Sequence, residues 1–373
     1  MTDFKLYGVG DVPDEEPLPV VCGLDNVESL KIGASIHKSI RRHIRPHLKP
    51  GLKLSELADL IENKCMELTK NQGLNRGIGF PSSLSVDDCA AHFTPAKNMD
   101  VTLRNKSITK IDIGVEVNGW ITDSAFTIAF DEKYKNLLDG VKDATYTAIK
   151  NAAYDADITD WAKDTQEVME SYEVEIKGNI YPVQVIKNLG GHDILKNKIH
   201  GDTFLPSYPI RFLTSKRFKN KVYAIESFGS TKSDWVDENV NENTIYMNKS
   251  STCSRVEKRN KKLVPFYNNL LDKFNTIPYC DRYLDIYYEA SNYKPKMESL
   301  EKIKAVNSYP PLKILKYLYF NKRKRTKIDN NFELNDEQKF IVNQLRKNGY
   351  HIIQNFLNED ECKKIIFSNS TDY

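Results

Sequence analysis

The stretch SITKIDIGVEVNGWITDSAFTIAF, residues 107–130, alternates apolar and polar side chains on both sides of Asn118-Gly119. Period-two alternation marks half-buried strands, and Asn-Gly favours the two-residue type I′ turn of a hairpin. With Asn118 and Gly119 as the turn, Asp112 faces Ala125 and Gly114 faces Asp123. Successive side chains point to opposite faces of a strand, so the two aspartates share one face as diagonal neighbours about 7–8 Å apart. Gly114, opposite Asp123, leaves room between them. The other face holds Ile111, Ile113, Val115, Val117, Trp120, Phe126 and Ile128, enough apolar surface to bury against helices.

Two carboxylates converging on a semi-buried face repel, and one must take up a proton unless a cation lies between them. A hard or borderline divalent ion such as Mn²⁺, Co²⁺, Fe²⁺ or Zn²⁺ suits such oxygen donors, and an added imidazole favours the transition metals. Candidate partners lie in loops: His92 in DDCAAHFTP, His192 in NLGGHDI, His200 in KIHGD and Glu226 in VYAIESFGS. Gly190-Gly191 permits a tight backbone path before His192, and VYAIE reads as a short buried strand ending in an acid. A lone histidine is more often structural than functional. His37, His43, His47 and His351, in helical or polar settings without such neighbours, are read as structural.

Outward from the hairpin, Ile32, Ile36, Ile40 and Ile44 recur every four residues, Pro46 and Pro50-Gly51 interrupt, and Leu54, Leu57, Ile61 and Cys65 resume. Two helices follow, the second capped near Ser55 and ended near Gly73. Residues 134–172 read as helical, 181–249 as short strands and loops, and 255–305 as a Lys/Arg-rich helical stretch. The 54 Lys+Arg against 51 Asp+Glu carry no general signal for nucleic acid. No apolar run reaches the roughly 18 residues of a membrane span, and the acidic amino terminus lacks an apolar leader, so a cytoplasmic protein is expected. The 6 cysteines include no CxxC pair, which argues against a disulfide framework and a cysteine zinc site.

The segments GFPSSLSVDDCAAHFTP (79–95), KIDIGVEVNGWITDSAFT (110–127), EVMESYEVEIKG (167–178), NLGGHDILKNKIH (188–200), VYAIESFGST (222–231) and YPPL (309–312) occur in an order that resembles the methionine aminopeptidases, type 2. The resemblance implies an α+β pita-bread (creatinase/aminopeptidase) fold, two pseudo-symmetric halves closing a curved antiparallel sheet around a dinuclear metal centre, with a helical type 2 insertion. It divides the chain into an extension (1–25), a pita-bread domain (26–255, resumed at 307–312), the insertion (256–306) and a divergent tail (313–373). By motif, Asp112, Asp123, His192 and Glu226 would hold two divalent ions (Co, Mn, Fe or Zn), with Asp112 bridging and Glu226 also moving protons. His92 would contact the scissile amide or its leaving group, and His200 would lie near the substrate carbonyl. Phe80, Ile199, Phe228 and Tyr309 would form the methionine pocket. The implied activity is removal of the amino-terminal methionine from nascent chains, by attack of a metal-shared hydroxide on the first peptide bond, in a monomer with no membrane partner.

The family pattern also contains a second bridging glutamate, in a strand reading roughly QFEHT after YPPL. Here YLYFNKRKRTK (317–327) stands in its place. Glu333, in NNFELNDE, is the one nearby glutamate preceded by Phe, although ELNDEQ reads more naturally as the capped start of a surface helix. Residues 334–367 resemble the opening of phytanoyl-type iron/2-oxoglutarate oxygenases and stop before any His-x-Asp iron motif. The segment 313–327, with seven basic residues and no acidic one, reads as a solvated linker or as a contact to ribosomal RNA. The rival to an enzyme is therefore a catalytically weak or inactive homologue that binds ribosomes, RNA or a protein.

Overall fold

Helices α1 (Asn26–Ile44) and α2 (Leu54–Thr69) carry the two apolar stripes that the sequence spacing predicts. Ile32, Ile36, Ile40, Ile44, Leu54, Leu57, Ile61 and Cys65 are buried in one cluster with six residues of the hairpin's apolar face: Ile111, Ile113, Val115, Val117, Phe126 and Ile128. Each such aliphatic side chain contributes about 1.5–3 kcal/mol on burial, which makes this stack the anchor of the amino-terminal half. The computed structural model describes residues 4–8, 26–70, 76–97, 99–210, 216–238, 245–249 and 253–314, and the backbone of 351–354 and 363–368.

The strands that follow are β1 (Arg76–Val86), β2 (Cys89–Ala91), β3 (Ile108–Val117) and β4 (Trp120–Ala129). β3 and β4 pair antiparallel with Val117 opposite Trp120, Gly114 opposite Asp123 and Asp112 opposite Ala125, the register that an Asn118-Gly119 turn requires. Both turn residues have positive φ, 55° and 84°. β1 adds to the other edge of β3. Trp120 departs from the expected helix-facing set and packs instead with the cluster around Phe80, Ile194 and Ile199.

Beyond the hairpin come α3 (Lys135–Asn151) and α4 (Ile158–Glu170). The break between them is set by Asp157, whose carboxylate accepts the Thr159 amide at 2.7 Å as an N-cap. The next strands are β5 (Glu173–Ile176), β6 (Asn179–Pro182), β7 (Gln184–Val185), β8 (Gly190–Ile194), β9 (Phe204–Pro206), β10 (Val222–Ile225), β11 (Gly229–Ser230), β12 (Val236–Glu238) and β13 (Ile245–Asn248). A second cluster buries Ala148, Ile158, Trp161 and Phe218 against Tyr223 and Ile225 of β10. β8 lies antiparallel between β9 and β10. A Cβ on Gly191 would collide with the Ala224 carbonyl, so close approach of β8 to β10 requires glycine immediately before His192.

Helices α5 (Cys253–Arg259), α6 (Val264–Phe274), α7 (Asp281–Leu284) and α8 (Ala290–Lys302) share their own core with Tyr246, Tyr267, Tyr279, Tyr293 and Leu300. β14 (Tyr279–Cys280) and β15 (Val306–Tyr309) flank β13, and β16 (Leu312–Ile314) pairs with β12 and β2. Finally β17 (His351–Gln354) pairs with β18 (Lys363–Ser368), which runs parallel to β10 and beside β4. No helix among the described residues is long and apolar enough to cross a membrane.

Two local expectations are corrected. α2 begins at Leu54, before Ser55, because Lys53 is extended and bridged to Thr102 while the Leu54 amide donates to the Val101 carbonyl at 2.8 Å. It ends at Thr69, where Lys70 turns left-handed with φ 59°; Gly73 lies outside the described residues.

Candidate metal centre

Side chains from three strands converge. Asp123 comes from the middle of β4, His192 from β8 and Glu226 from the residue after β10. His192 Nε2 lies 3.4 Å from Asp123 Oδ2 and 3.1 Å from Glu226 Oε1. One ligand atom from each of the three residues lies within 4.8 Å of the other two. His192 Nδ1 donates to its neighbour's carbonyl, Asp193 O, at 3.2 Å, which turns Nε2 towards the two carboxylates. That is how metal-binding imidazoles are commonly oriented.

Asp112 is not one of those three, but it stands near enough to feel their charges. Its Oδ1 is buried without a hydrogen-bond partner, and burial, then the charges of Asp123 and Glu226, push its carboxyl well above the usual range. Burial also raises Glu226, against the lowering effect of the His192 bond. For His192 burial alone would lower the pKa, but its bonds to Asp123 and Glu226 and their charges outweigh that and raise it to about 10. Three carboxyl groups and one imidazole, mostly dry and including an orphaned oxygen, form a donor set that fits a divalent cation.

Beside this group stands a row of rings. His200 lies edge-on to His192 with centroids 4.1 Å apart, Tyr309 is 6.3 Å from His200, and His92 is 5.9 Å from Tyr309. Burial holds His92 at about 4 and His200 at about 3, so both are neutral at physiological pH. His92 hydrogen-bonds the Pro310 carbonyl, which commits its single ring proton and leaves the other nitrogen as an acceptor. Its backbone sits at φ 66°, a conformation that non-glycine residues rarely adopt.

Of the residues expected around a methionine side chain, Phe80 and Ile199 share one buried cluster and Tyr309 faces both histidines. Phe228 packs elsewhere, against Ala90, Ile186 and Val236. The room at Gly114 is taken by the Phe80 ring, which a Cβ there would strike.

Sequence reasoning missed Asp193. Its fully buried carboxylate accepts the Thr203 amide and Lys221 Nζ, both at 2.7 Å, and its backbone carbonyl accepts the Gly201 amide at 2.7 Å. Those bonds lace the loop that carries His200 to β8. A Cβ on Gly201 would strike the same carboxylate. The available signal was an acid directly after His192 in an otherwise apolar strand.

The fifth donor is not supplied from the strand beside β4 and β10: β18 reads KKIIFS and contains no acid. Residues 317–327 and Glu333 lie outside the described residues.

Metallopeptidase family M24 matches residues 28–249. Methionine aminopeptidase 2 of Clavispora lusitaniae is 40% identical over 287 residues, 76% of this chain and 65% of that protein. Methionine aminopeptidase 2 of Saccharomyces cerevisiae is 39% identical over 320 residues, 83% and 74% of the two chains. The chain thus spans about two thirds to three quarters of the length of these relatives. A solved structure described as a thermophilic Arx1 superposes with a TM-score of 0.62 at 15% identity, covering 79% of this chain and 87% of that one, a likeness of fold. From the matched span and these identities, the chain belongs to metallopeptidase family M24 and, within it, groups with the methionine aminopeptidases 2.

Proposed function

We propose that the chain is a divalent-metal aminopeptidase that removes the amino-terminal methionine from polypeptides. The observation that carries this reading is the convergence of Asp123, His192 and Glu226, with Asp112 within reach of their charges, beside two neutral histidines. These four residues would hold the metal, two ions in the dinuclear reading. Bound divalent ions would polarise the scissile carbonyl and acidify a water.

The protein's own groups supply the rest. His200, neutral, donates a hydrogen bond from its ring N–H to the carbonyl oxygen as negative charge develops there. His92 offers its lone-pair nitrogen to the N–H of the scissile amide and so orients the bond. Glu226 would take up the proton that the acidified water gives up and pass it to the departing amine. Phe80, Ile199 and Tyr309 supply an apolar lining suited to an unbranched thioether, and Phe228 would join them only by moving from its present packing.

A second reading, a homologue that binds without turnover, is favoured by one observation: β18 brings no carboxylate to the centre. Its ribosome-binding form depends on the basic segment, of which 315–327 lie outside the described residues. The test is release of methionine from Met-Gly-Met by the purified protein with Mn²⁺ or Co²⁺. Turnover supports the enzyme, and no release with any divalent metal overturns it in favour of the binding protein.

A further inference from the structure

We propose that the cleft on the far side of His92 and Tyr309 binds the substrate residues that follow the scissile bond, and selects a lysine or arginine among them through Glu238 and Trp235. The inference rests on the peptidase reading for its direction and adds a sequence preference to it.

A cleft of about 350 Å³ opens between His92, Tyr309 and β12. Two of its walls are the rings that lead inward to His200 and the metal-binding group. His92 is the residue placed to meet the scissile amide, so the chain on the leaving side emerges here. Val236, Pro310 and Leu312 give the cleft an apolar floor. That floor is held in place by Asn188, whose side chain donates to the Val236 carbonyl at 2.7 Å and accepts the Val236 amide at 2.9 Å.

The rim is acidic, and its charges are not equivalent. Asp234, just outside the cleft, is paired with Lys187 at 2.5 Å. Asp237 stands opposite Lys313 in the β12–β16 register, where cross-strand neighbours of opposite charge compensate each other. Glu238 stands opposite apolar Leu312, on the same side of β12 as Val236. It forms no ion pair with a described residue and is exposed. Trp235, also on the rim, leaves 42% of its surface exposed. An uncompensated carboxylate and a half-exposed tryptophan lining one cleft make a site for a cationic side chain, which the acid attracts and the ring can contact. An extended peptide advances about 3.3 Å per residue with alternating side chains. Residues that follow the scissile bond would therefore present their side chains to the floor and the rim by turns.

The test separates this site from catalysis. Met-Ala-Lys-Lys and Met-Ala-Glu-Glu, labelled at the carboxyl end, are titrated into the full chain in excess chelator, and binding is read by fluorescence anisotropy at low salt. The lysine peptide should bind at least about five-fold more tightly, and Glu238→Gln should erase the difference while leaving binding of Met-Ala-Gln-Gln unchanged. Equal affinities, a preference that survives in Glu238→Gln, or no binding of either peptide would overturn the proposal. Release of methionine from Met-Gly-Met, which has no basic residue, reports on the peptidase reading separately. Charge preference without turnover would leave the cleft standing as a basic-peptide site and sink only the hydrolysis.

Discussion

The carboxylate of Glu62 on α2 and the guanidinium of Arg282 on α7 meet at 2.6 Å with side chains 7% and 6% exposed. The pair ties the first helical layer to the helices of 253–302. Glu62 also accepts the Ser82 amide of β1 at 3.0 Å, so one carboxylate joins three elements. Glu62→Ala should cost about 3–5 kcal/mol in denaturant unfolding, because it strands a buried guanidinium, two of whose nitrogens have no hydrogen-bond partner. Glu62→Leu with Arg282→Met should recover most of that loss. A single-variant loss below about 1 kcal/mol would mean that water relieves the guanidinium.

Lys221 compensates the buried Asp193 carboxylate, and Asp193 holds the Gly201 and Thr203 amides. Lys221→Met should therefore loosen the His200 loop without touching any proposed ligand. Hydrogen exchange at Gly201 and Thr203 should accelerate. If the chain is a peptidase, kcat should fall on the order of ten- to a hundred-fold with a smaller change in KM, since orientation and not binding is lost. Unchanged exchange at both amides would remove Asp193 from any positioning role.

What could be read in advance followed the range of each interaction. A two-residue turn sets every pair in its hairpin, so Asn118-Gly119 was enough to place Asp112 and Asp123 on one face. The stripes of α1 and α2 were equally local. Grouping His192 with Glu226 needed the β8–β10 pairing, which no periodicity announces; the loop composition and the family resemblance pointed to them. Gly114 shows where the residue-level reading falls short. Smallness at that position was legible, but the neighbour that needs it is the Phe80 ring and not an ion. Glu62 and Arg282, 220 residues apart, leave no mark in either segment's pattern.

His37 gives the native state an acid sensitivity distinct from the metal centre. It is buried in α1 against β4, with Nε2 donating to the Ser124 carbonyl at 3.0 Å. Burial first, and the charge of Arg41 second, lower its pKa from 6.5 to about 3. The unfolded chain therefore binds a proton below pH 6.5 that the native chain refuses. Stability is retained above 6.5 and declines as pH falls from 6.5 towards 3, by up to about 1.4 kcal/mol per pH unit from this group. His37→Gln, which can still donate to Ser124, should flatten the dependence: its stability relative to the parent should improve between pH 7 and pH 5 in parallel urea titrations. A stability difference that stays constant across that range would show that folding does not shift the titration of His37.

Asp123 is the donor whose loss the centre should tolerate least, because it lies within 3.4 Å of His192 and its charge acts on both Asp112 and Glu226. Titration of the parent with Mn²⁺ in a calorimeter should show uptake, and Asp123→Ala should abolish it. Asp112→Asn keeps an oxygen at the site while removing the carboxyl that is most strongly disfavoured as an anion, so it should retain an ion with weakened affinity. Asp112→Asn also relieves repulsion among the carboxyl groups, so this variant should unfold at a higher urea concentration than the metal-free parent. That combination, weaker metal binding with a more stable apo protein, separates a ligand from a residue that merely packs. Retained stoichiometry in Asp123→Ala would place the ion elsewhere.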